Sequence, residues 1–176
     1  CASMGYELPA AIGAYHATNQ VITCLAGDGS IMMNLQELSI IGGSQLPIKI
    51  ILINNSGYHS IRQTQSNYFP NNIIGCGPES RLPFPIFSDL VAAFNIHYSF
   101  VIDDDSLAYS LSSIYSNDAP HLLEVFTDKE QQFAPKLSSR RLDSGEMVSA
   151  SLDDMSPHLE SSRLLSIAES AYKIKL

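Results

Sequence analysis

Two short stretches hold the residue types that a hard cation and an anionic partner need. Gly27-Asp28-Gly29-Ser30 follows the apolar run Val21 to Ala26, and Asn54-Asn55-Ser56-Gly57 follows the apolar run Pro47 to Ile53. Mg2+ takes oxygen ligands octahedrally, commonly one or two carboxylates completed by neutral oxygens, water and phosphate. One Asp and one Asn suit a diphosphate, because the diphosphate brings further negative charge and the Asn55 amide oxygen completes the shell at no charge cost. Gly29 lets backbone approach a phosphate closely, and the Gly29 and Ser30 amides at the start of the next turn can donate to its oxygens. Taken singly, Gly-Asp-Gly-Ser is an ordinary tight turn and Asn-Asn an ordinary strand-end turn. The cation reading rests on having both, one helix and one strand apart.

That interval dictates the elements that must position them. Gly5 to Ala17 is Ala-rich with apolar residues at helical spacing, and Pro9 falls where a first turn tolerates it. Val21 to Ala26 reads as a buried strand opening into a tight loop. Asn34-Leu-Gln-Glu37 has the form of a capping box, for a helix that Gly42-Gly43 ends. Pro47 to Ile53, interrupted only by Lys49, is a central strand covered on both faces. Tyr58 to Phe69 is a short polar helix, and Pro70 to Pro85 an irregular loop whose length hints at function. A helix over 86–94, a strand over 98–102, a helix over 106–115 capped from Asp103 to Asp105, and a strand over 121–126 follow. Such alternation predicts a doubly wound α/β fold, a mostly parallel sheet with helices on both faces. Ligands of such sheets bind at the carboxyl ends of the strands, where both motifs fall. The expected division is 1–127 for this domain and 128–176 for a polar lid or contact arm, with a weak helix near Leu159 to Tyr172.

Composition bounds the rest. The chain has 176 residues, 45% hydrophobic and 16% charged, enough apolar material for one globular domain. A net charge of -8 is the wrong sign for nucleic acid. Cys1, Cys24 and Cys76 make an odd set without CxxC spacing, which reads as free thiols of a reducing, cytoplasmic compartment. The apolar runs are too short to span a bilayer, so no membrane partner is expected. The start at Cys1, directly in a helical pattern, reads as the cut end of something larger.

The motifs have a family likeness. Ser3-Met-Gly-Tyr-Glu-Leu-Pro-Ala-Ala-Ile-Gly13, Gly27-Asp-Gly-Ser30, Gln36-Glu-Leu38, Leu46-Pro-Ile-Lys-Ile50 and Asn54-Asn55 resemble, in order, the C-terminal cofactor domain of acetolactate synthase-like thiamine diphosphate (ThDP) enzymes. The resemblance covers the chain well to about Phe126. It implies ThDP and Mg2+ as cofactors, with metal oxygens from Asp28, Asn55 and the Gly57 carbonyl. It implies Met4 as the apolar wedge under a bent cofactor, with Gly5, Gly27, Gly29, Ser30 and Tyr58 as further cofactor contacts. Alone, Met4 reads as core packing. The activating glutamate that the resemblance implies matches no position here and belongs to another domain or subunit; any FAD would likewise sit on a domain outside this chain.

The implied reaction is decarboxylation of a 2-oxo acid, pyruvate by default, and ligation of the two-carbon unit to a second carbonyl. The partners are then a 2-oxo acid, a carbonyl acceptor, other domains of the same enzyme and further copies in a homodimer or homotetramer; the fragment alone is expected to be inactive. His59 is a candidate general acid or base, and Arg62 a candidate carboxylate holder. A surface His and a solvated Arg on a short helix account for them equally well. Two departures stand out. Glu7 replaces the family's common Gly, and the Trp that acetolactate synthases place near Thr64 is missing, the chain having no Trp. Glu7, 59–65 and 75–80 are similar to a subgroup found with surface-polysaccharide or sugar-modifying pathways. The alternatives are two-carbon transfer to a keto-sugar and a non-catalytic binding or assembly domain. A dinucleotide-binding fold is excluded by the first loop, which is not G-x-G-x-x-G.

Overall fold

A computed structural model describes residues 3–131, 133–137, 139–149, 155, 160, 162–163 and 165–167. The elements are α1 (Glu7–Thr18), β1 (Ile22–Gly27), α2 (Asp28–Ile31), a 3-10 turn (Leu35–Glu37), α3 (Leu38–Gly43), β2 (Ile48–Asn54) and α4 (His59–Tyr68). They continue with α5 (Phe87–Ala92), β3 (His97–Val101), α6 (Asp104–Ile114), β4 (His121–Phe126), β5 (Ser139–Arg141) and β6 (Met147–Ser149). The first four strands form one parallel sheet in the order β1-β2-β4-β3. This is the doubly wound α/β fold that the alternation predicts.

The strands are apolar because both of their faces are covered. On one face Leu8 and Ala11 of α1, Leu38 and Ile41 of α3, and Phe87 and Val91 of α5 pack with Ile48, Ile50, Leu52 and Leu122 of the sheet. On the other, Leu107, Leu111 and Ile114 of α6 pack with Ile51, Val101, Leu123 and Val125. Close packing also fixes a glycine: a β-carbon on Gly42 in α3 would collide with the Phe94 carbonyl.

Local chemistry sets the helix ends. Asn19 adopts the left-handed conformation (φ 53°) that stops α1, and its N–H donates to the Tyr15 carbonyl. Asp103 caps α6, its carboxylate accepting from the Ser106 N–H at 2.8 Å. The expected capping box at Asn34 does not form. Asn34 Nδ2 donates instead to the Gly5 carbonyl (2.8 Å), Gln36 Nε2 donates to Asn34 Oδ1, and the chain enters α3 through the 3-10 turn. A long-range tie to the 3–6 segment outcompetes the local cap. Gly27-Asp28-Gly29-Ser30 is likewise not a simple loop, since its last three residues begin the helical turn α2.

The chain divides into two compact units, Cys1–Glu130 and Gln131–Leu176. The first extends past the 127/128 boundary drawn from composition, because His59 Nδ1 and Arg62 Nη1 both reach the Lys129 carbonyl. In the second unit β5 and β6 form an antiparallel hairpin that the polar sequence did not signal. The weak helix expected near Leu159 to Tyr172 falls mostly outside the described residues, of which 162–163 and 165–167 are helical. Among the described residues no helix is long and apolar enough to cross a membrane.

Candidate active site

The site lies where β1 and β2, neighbours in the parallel sheet, reach their carboxyl ends. Gly27 is paired with Ile53, so the Asp28 and Asn54-Asn55 turns leave the sheet side by side. Asp28 is buried at 2% exposure. Its Oδ1 accepts from the Gly29 N–H at 2.9 Å and its Oδ2 from the Gly57 N–H at 2.6 Å, so the second loop is tied to the carboxylate of the first. Burial pushes the Asp28 carboxyl above its ordinary value, opposed by the Gly57 and Gly29 N–H groups and by the Arg62 charge.

Asn55 Oδ1 is buried and has no hydrogen-bond partner. An unmet buried acceptor costs roughly 1–3 kcal/mol, so Asn55 Oδ1, two residues from the Gly57 that holds Asp28, is an oxygen open to a ligand. The chemistry of the donor set fits Mg2+: one carboxylate, one neutral amide oxygen and a backbone carbonyl, hard oxygens all. The Gly57 carbonyl accepts from the His59 N–H at 3.0 Å and retains its second lone pair. Among the described residues no three His, Cys, Asp or Glu side chains gather, so a purely side-chain metal cage is absent there.

Gly57 can be nothing else: its φ is +128°, and a β-carbon would strike the Cys76 carbonyl. The 74–80 segment folds back onto the loop at this point, with the Tyr58 N–H donating to the Cys76 carbonyl at 2.7 Å. Gly29 is also closely covered. A β-carbon there would lie 2.6 Å from the Tyr58 ring, which covers it, and its amide is engaged by Asp28. Tyr58 in turn leans on Phe84 at 5.9 Å.

Arg62 is neither solvated nor open to a substrate carboxylate. It is 6% exposed, with Nε 3.1 Å from Glu79 Oε1, Nη1 donating to the Asn55 carbonyl at 3.1 Å, and Nη2 to the Ser56 carbonyl at 2.5 Å. Its guanidinium thus braces the backbone of the loop that carries Asn55. His59 is buried rather than on the surface, with Nδ1 3.2 Å from the Lys129 carbonyl. Because a carbonyl only accepts, Nδ1 carries a proton in that contact.

The 3–6 segment docks on α2 from outside. The Gly5 N–H donates to Ser30 Oγ at 3.0 Å, its carbonyl accepts from Asn34, and a β-carbon on it would meet Met33 at 2.6 Å. Ser30 is therefore an anchor for Gly5 through its hydroxyl. Met4, beside this tie, is 44% exposed rather than packed in the core. Gly27 is extended at the end of β1, with open space over its α-carbon except for Ser30 Cβ at 3.9 Å. Sequence reasoning missed Asn34, Glu79, Tyr98 and Glu124. Of these only Glu124 left a signal, a lone charge inside the apolar run His121 to Phe126.

A parallel sheet that brings a buried carboxylate and an unmet amide oxygen to neighbouring strand ends defines a cofactor-binding α/β domain. The chain belongs to the thiamine pyrophosphate enzymes: the family described as "Thiamine pyrophosphate enzyme, C-terminal TPP binding domain" matches residues 1–125. It is similar to the acetolactate synthase isozyme 2 large subunit of Escherichia coli K12, with 36% identity over 76% of this chain and 24% of that protein. It is 32% identical to the Lactococcus lactis acetolactate synthase large subunit over 86% of this chain and 26% of that protein. Among solved structures it resembles a Rhodococcus jostii RHA1 thiamine diphosphate-dependent 4-hydroxybenzoylformate decarboxylase, with TM-score 0.64, 26% identity, and coverage of 73% of this chain and 24% of that one. The chain thus spans about a quarter of the length of the relatives it matches, as an acetolactate synthase-like ThDP-binding domain.

Proposed function

We propose that this domain holds ThDP through Mg2+ in an enzyme that decarboxylates a 2-oxo acid, pyruvate by default, and joins the two-carbon unit to a second carbonyl. The observation that carries this reading is the unmet Asn55 Oδ1 beside the buried Asp28. Asp28, Asn55 and the Gly57 carbonyl would hold the metal, with Met4 and Tyr58 flanking the cofactor. ThDP supplies, when bound, the carbon nucleophile and electron sink of the decarboxylation. Arg62 keeps the Asn55–Ser56 backbone in place, and His59 is positioned through Lys129 to take or give a proton at Nε2. The activating glutamate, any FAD and the rest of the substrate pocket belong to other domains or a partner copy in a homodimer or homotetramer, which makes the isolated 176 residues inactive. The segment 128–176 serves as a lid or contact arm, and the enzyme is cytoplasmic.

Calorimetry on the full-length protein tests this. ThDP with Mg2+ is expected to bind, and Asp28→Ala to weaken binding at least about 100-fold, as loss of a charged ligand implies. Absence of binding, or unchanged binding in the variant, would overturn the reading.

Glu7 in place of the family's Gly, together with the lack of Trp, favours a second acceptor: a keto-sugar in polysaccharide biosynthesis. Turnover that requires a nucleotide-linked ketosugar, with little product from pyruvate alone, would select it over the acetolactate reaction.

A further inference from the structure

Glu124 is a buried carboxylate in the middle of β4, 4% exposed, in register between Leu52 of β2 and Phe100 of β3. Among the described residues no cation pairs with it. A lone buried carboxylate is costly unless its oxygens are met by donors. Here they are met by two neutral donors, one on each side: Tyr98 Oη–H at 2.6 Å from Oε2, and Asn54 Nδ2–H at 2.5 Å from Oε1.

The second contact has a directional consequence. An amide whose NH2 faces a carboxylate must present its oxygen the other way, and Asn54 Oδ1 accepts from the Ser56 N–H at 2.9 Å. Ser56 needs that hold, since its φ is +61°, a left-handed conformation that costs a non-glycine residue roughly 1 kcal/mol or more. The Asn54 carbonyl is fixed by the Thr127 N–H at 2.9 Å and the Ser56 carbonyl by Arg62. The chain Tyr98–Glu124–Asn54–Ser56 therefore ends in the turn that carries Asn55 and Gly57.

We propose that Glu124, oriented by Tyr98, is a positioning residue: it fixes the Asn54 amide so that the 54–57 turn keeps Asn55 Oδ1 unpaired for the cation. This rests on the ThDP and Mg2+ reading above. A carboxylate only accepts, so it meets the Tyr98 hydroxyl and the Asn54 NH2 at once and holds that amide in one direction. Gln at 124, with its oxygen kept for the Tyr98 O–H, turns its own NH2 toward Asn54 and sets it against the Asn54 NH2, which favours a flip of the Asn54 amide that withdraws its oxygen from Ser56.

The test uses the full-length protein with ThDP, Mn2+ as the probe, and free Mn2+ read by electron paramagnetic resonance, alongside amide hydrogen exchange over 54–58. Glu124→Gln is expected to weaken Mn2+ binding about 10–100-fold, the range for outer-shell groups that orient ligands, and to speed exchange in the turn. Asn54→Asp in the Glu124→Gln background reverses donor and acceptor and is expected to restore binding to within about 3-fold of wild type. Asn54→Asp alone sets two carboxylates against each other and is expected to bind more weakly than wild type. Tyr98→Phe, which removes only the orienting donor, is expected to give a smaller loss and serves if Glu124→Gln does not fold. Wild-type Mn2+ affinity and exchange in the folded 124 variant, or single Asn54→Asp binding as tightly as the double variant, would overturn the proposal. Should the wild type bind no Mn2+ with ThDP, the cofactor reading falls and the exchange rates decide the positioning role by themselves.

Discussion

Strand β2 buries a polar side chain at one end and leads into a half-buried polar turn at the other, and the two are treated in opposite ways. At its start Lys49 is fully buried, with Nζ donating to the carbonyls of Asn117 (2.8 Å) and Ala119. His121, its register partner on β4, sits 2.8 Å from Ser99 Oγ and stacks on His97. Beyond its far end Asp28 is gripped by two backbone N–H groups and Asn55 Oδ1 is left without a partner. The same strands support both ends, so the fold alone does not say which one is a site. Polar bookkeeping does: the Lys49 ammonium finds its acceptors in its own chain, while beside Asp28 the Asn55 Oδ1 has none and stays open to a ligand.

The sharpest way to break this contrast is to damage site and scaffold by the same chemical step. A β-carbon at Gly57 would collide with the Cys76 carbonyl and one at Gly42 with the Phe94 carbonyl. Gly57→Ala and Gly42→Ala are each expected to lower stability by about 2–4 kcal/mol, as overpacking against backbone does. Only Gly57→Ala should also abolish cation binding, because it displaces the amide that holds Asp28 and the carbonyl offered to the metal. Denaturant titration followed by calorimetry on the folded fraction separates the two effects. Normal cation affinity in folded Gly57→Ala would show that the turn does not build the site.

Acid should act on the two ends with opposite signs. The Asp28 carboxyl is raised by burial, so the folded chain takes its proton more readily than the unfolded one. Its contribution favours the fold at low pH and is lost as pH rises through the raised value, the same range in which the site becomes able to hold a cation. The His121 imidazole is pushed down from 6.5 to about 4 by burial, with the His97 and Lys49 charges adding to the shift. Its contribution is present above pH 6.5 and is lost as pH falls toward about 4, because the unfolded chain binds the proton first. His121→Gln is expected to flatten the melting temperature against pH between those values and to leave cation affinity at pH 7 unchanged. An acid limb as steep as in wild type would remove His121 from that account.

How far these ends could be read in advance differs for a physical reason. Strand β4 was legible to the residue, because a strand covered on both faces is apolar at most of its positions, and the two loops were legible because turns and cation oxygens demand few residue types. Their relation was not. Glu124 meets Asn54 only through the order β1-β2-β4-β3, which no local pattern encodes. Arg62 turns inward only because 74–80 folds back on the loop, and Asn34 abandons its cap only because Gly5 is brought to it. What the long-range contacts left in the sequence was an anomaly of type, Lys49 and Glu124 standing inside apolar runs, without a hint of which was structural.

Lys49 supplies the smallest and most exacting test of the comparison. Burial pushes its ammonium down, partly offset by Asp118, so the charge itself works against the fold and the bonds to Asn117 and Ala119 offset that cost. Lys49→Met keeps the volume, removes both the charge and its desolvation, and leaves two carbonyls in a segment where Asn117 and Asp118 are exposed and water can reach. The net change in stability is expected to lie within about 1 kcal/mol of wild type at pH 7. The variant should also lose the stability that wild type gains as pH rises through the lowered folded value toward 10.5, since Met has no proton to release. ThDP and Mg2+ affinity should not move, because Lys49 lies at the opposite end of β2 from the 54–57 turn. A loss of about 3 kcal/mol or more, or a changed cation affinity, would mean that the two ends are coupled through β2 and that a closed set of buried bonds does not mark the inert end.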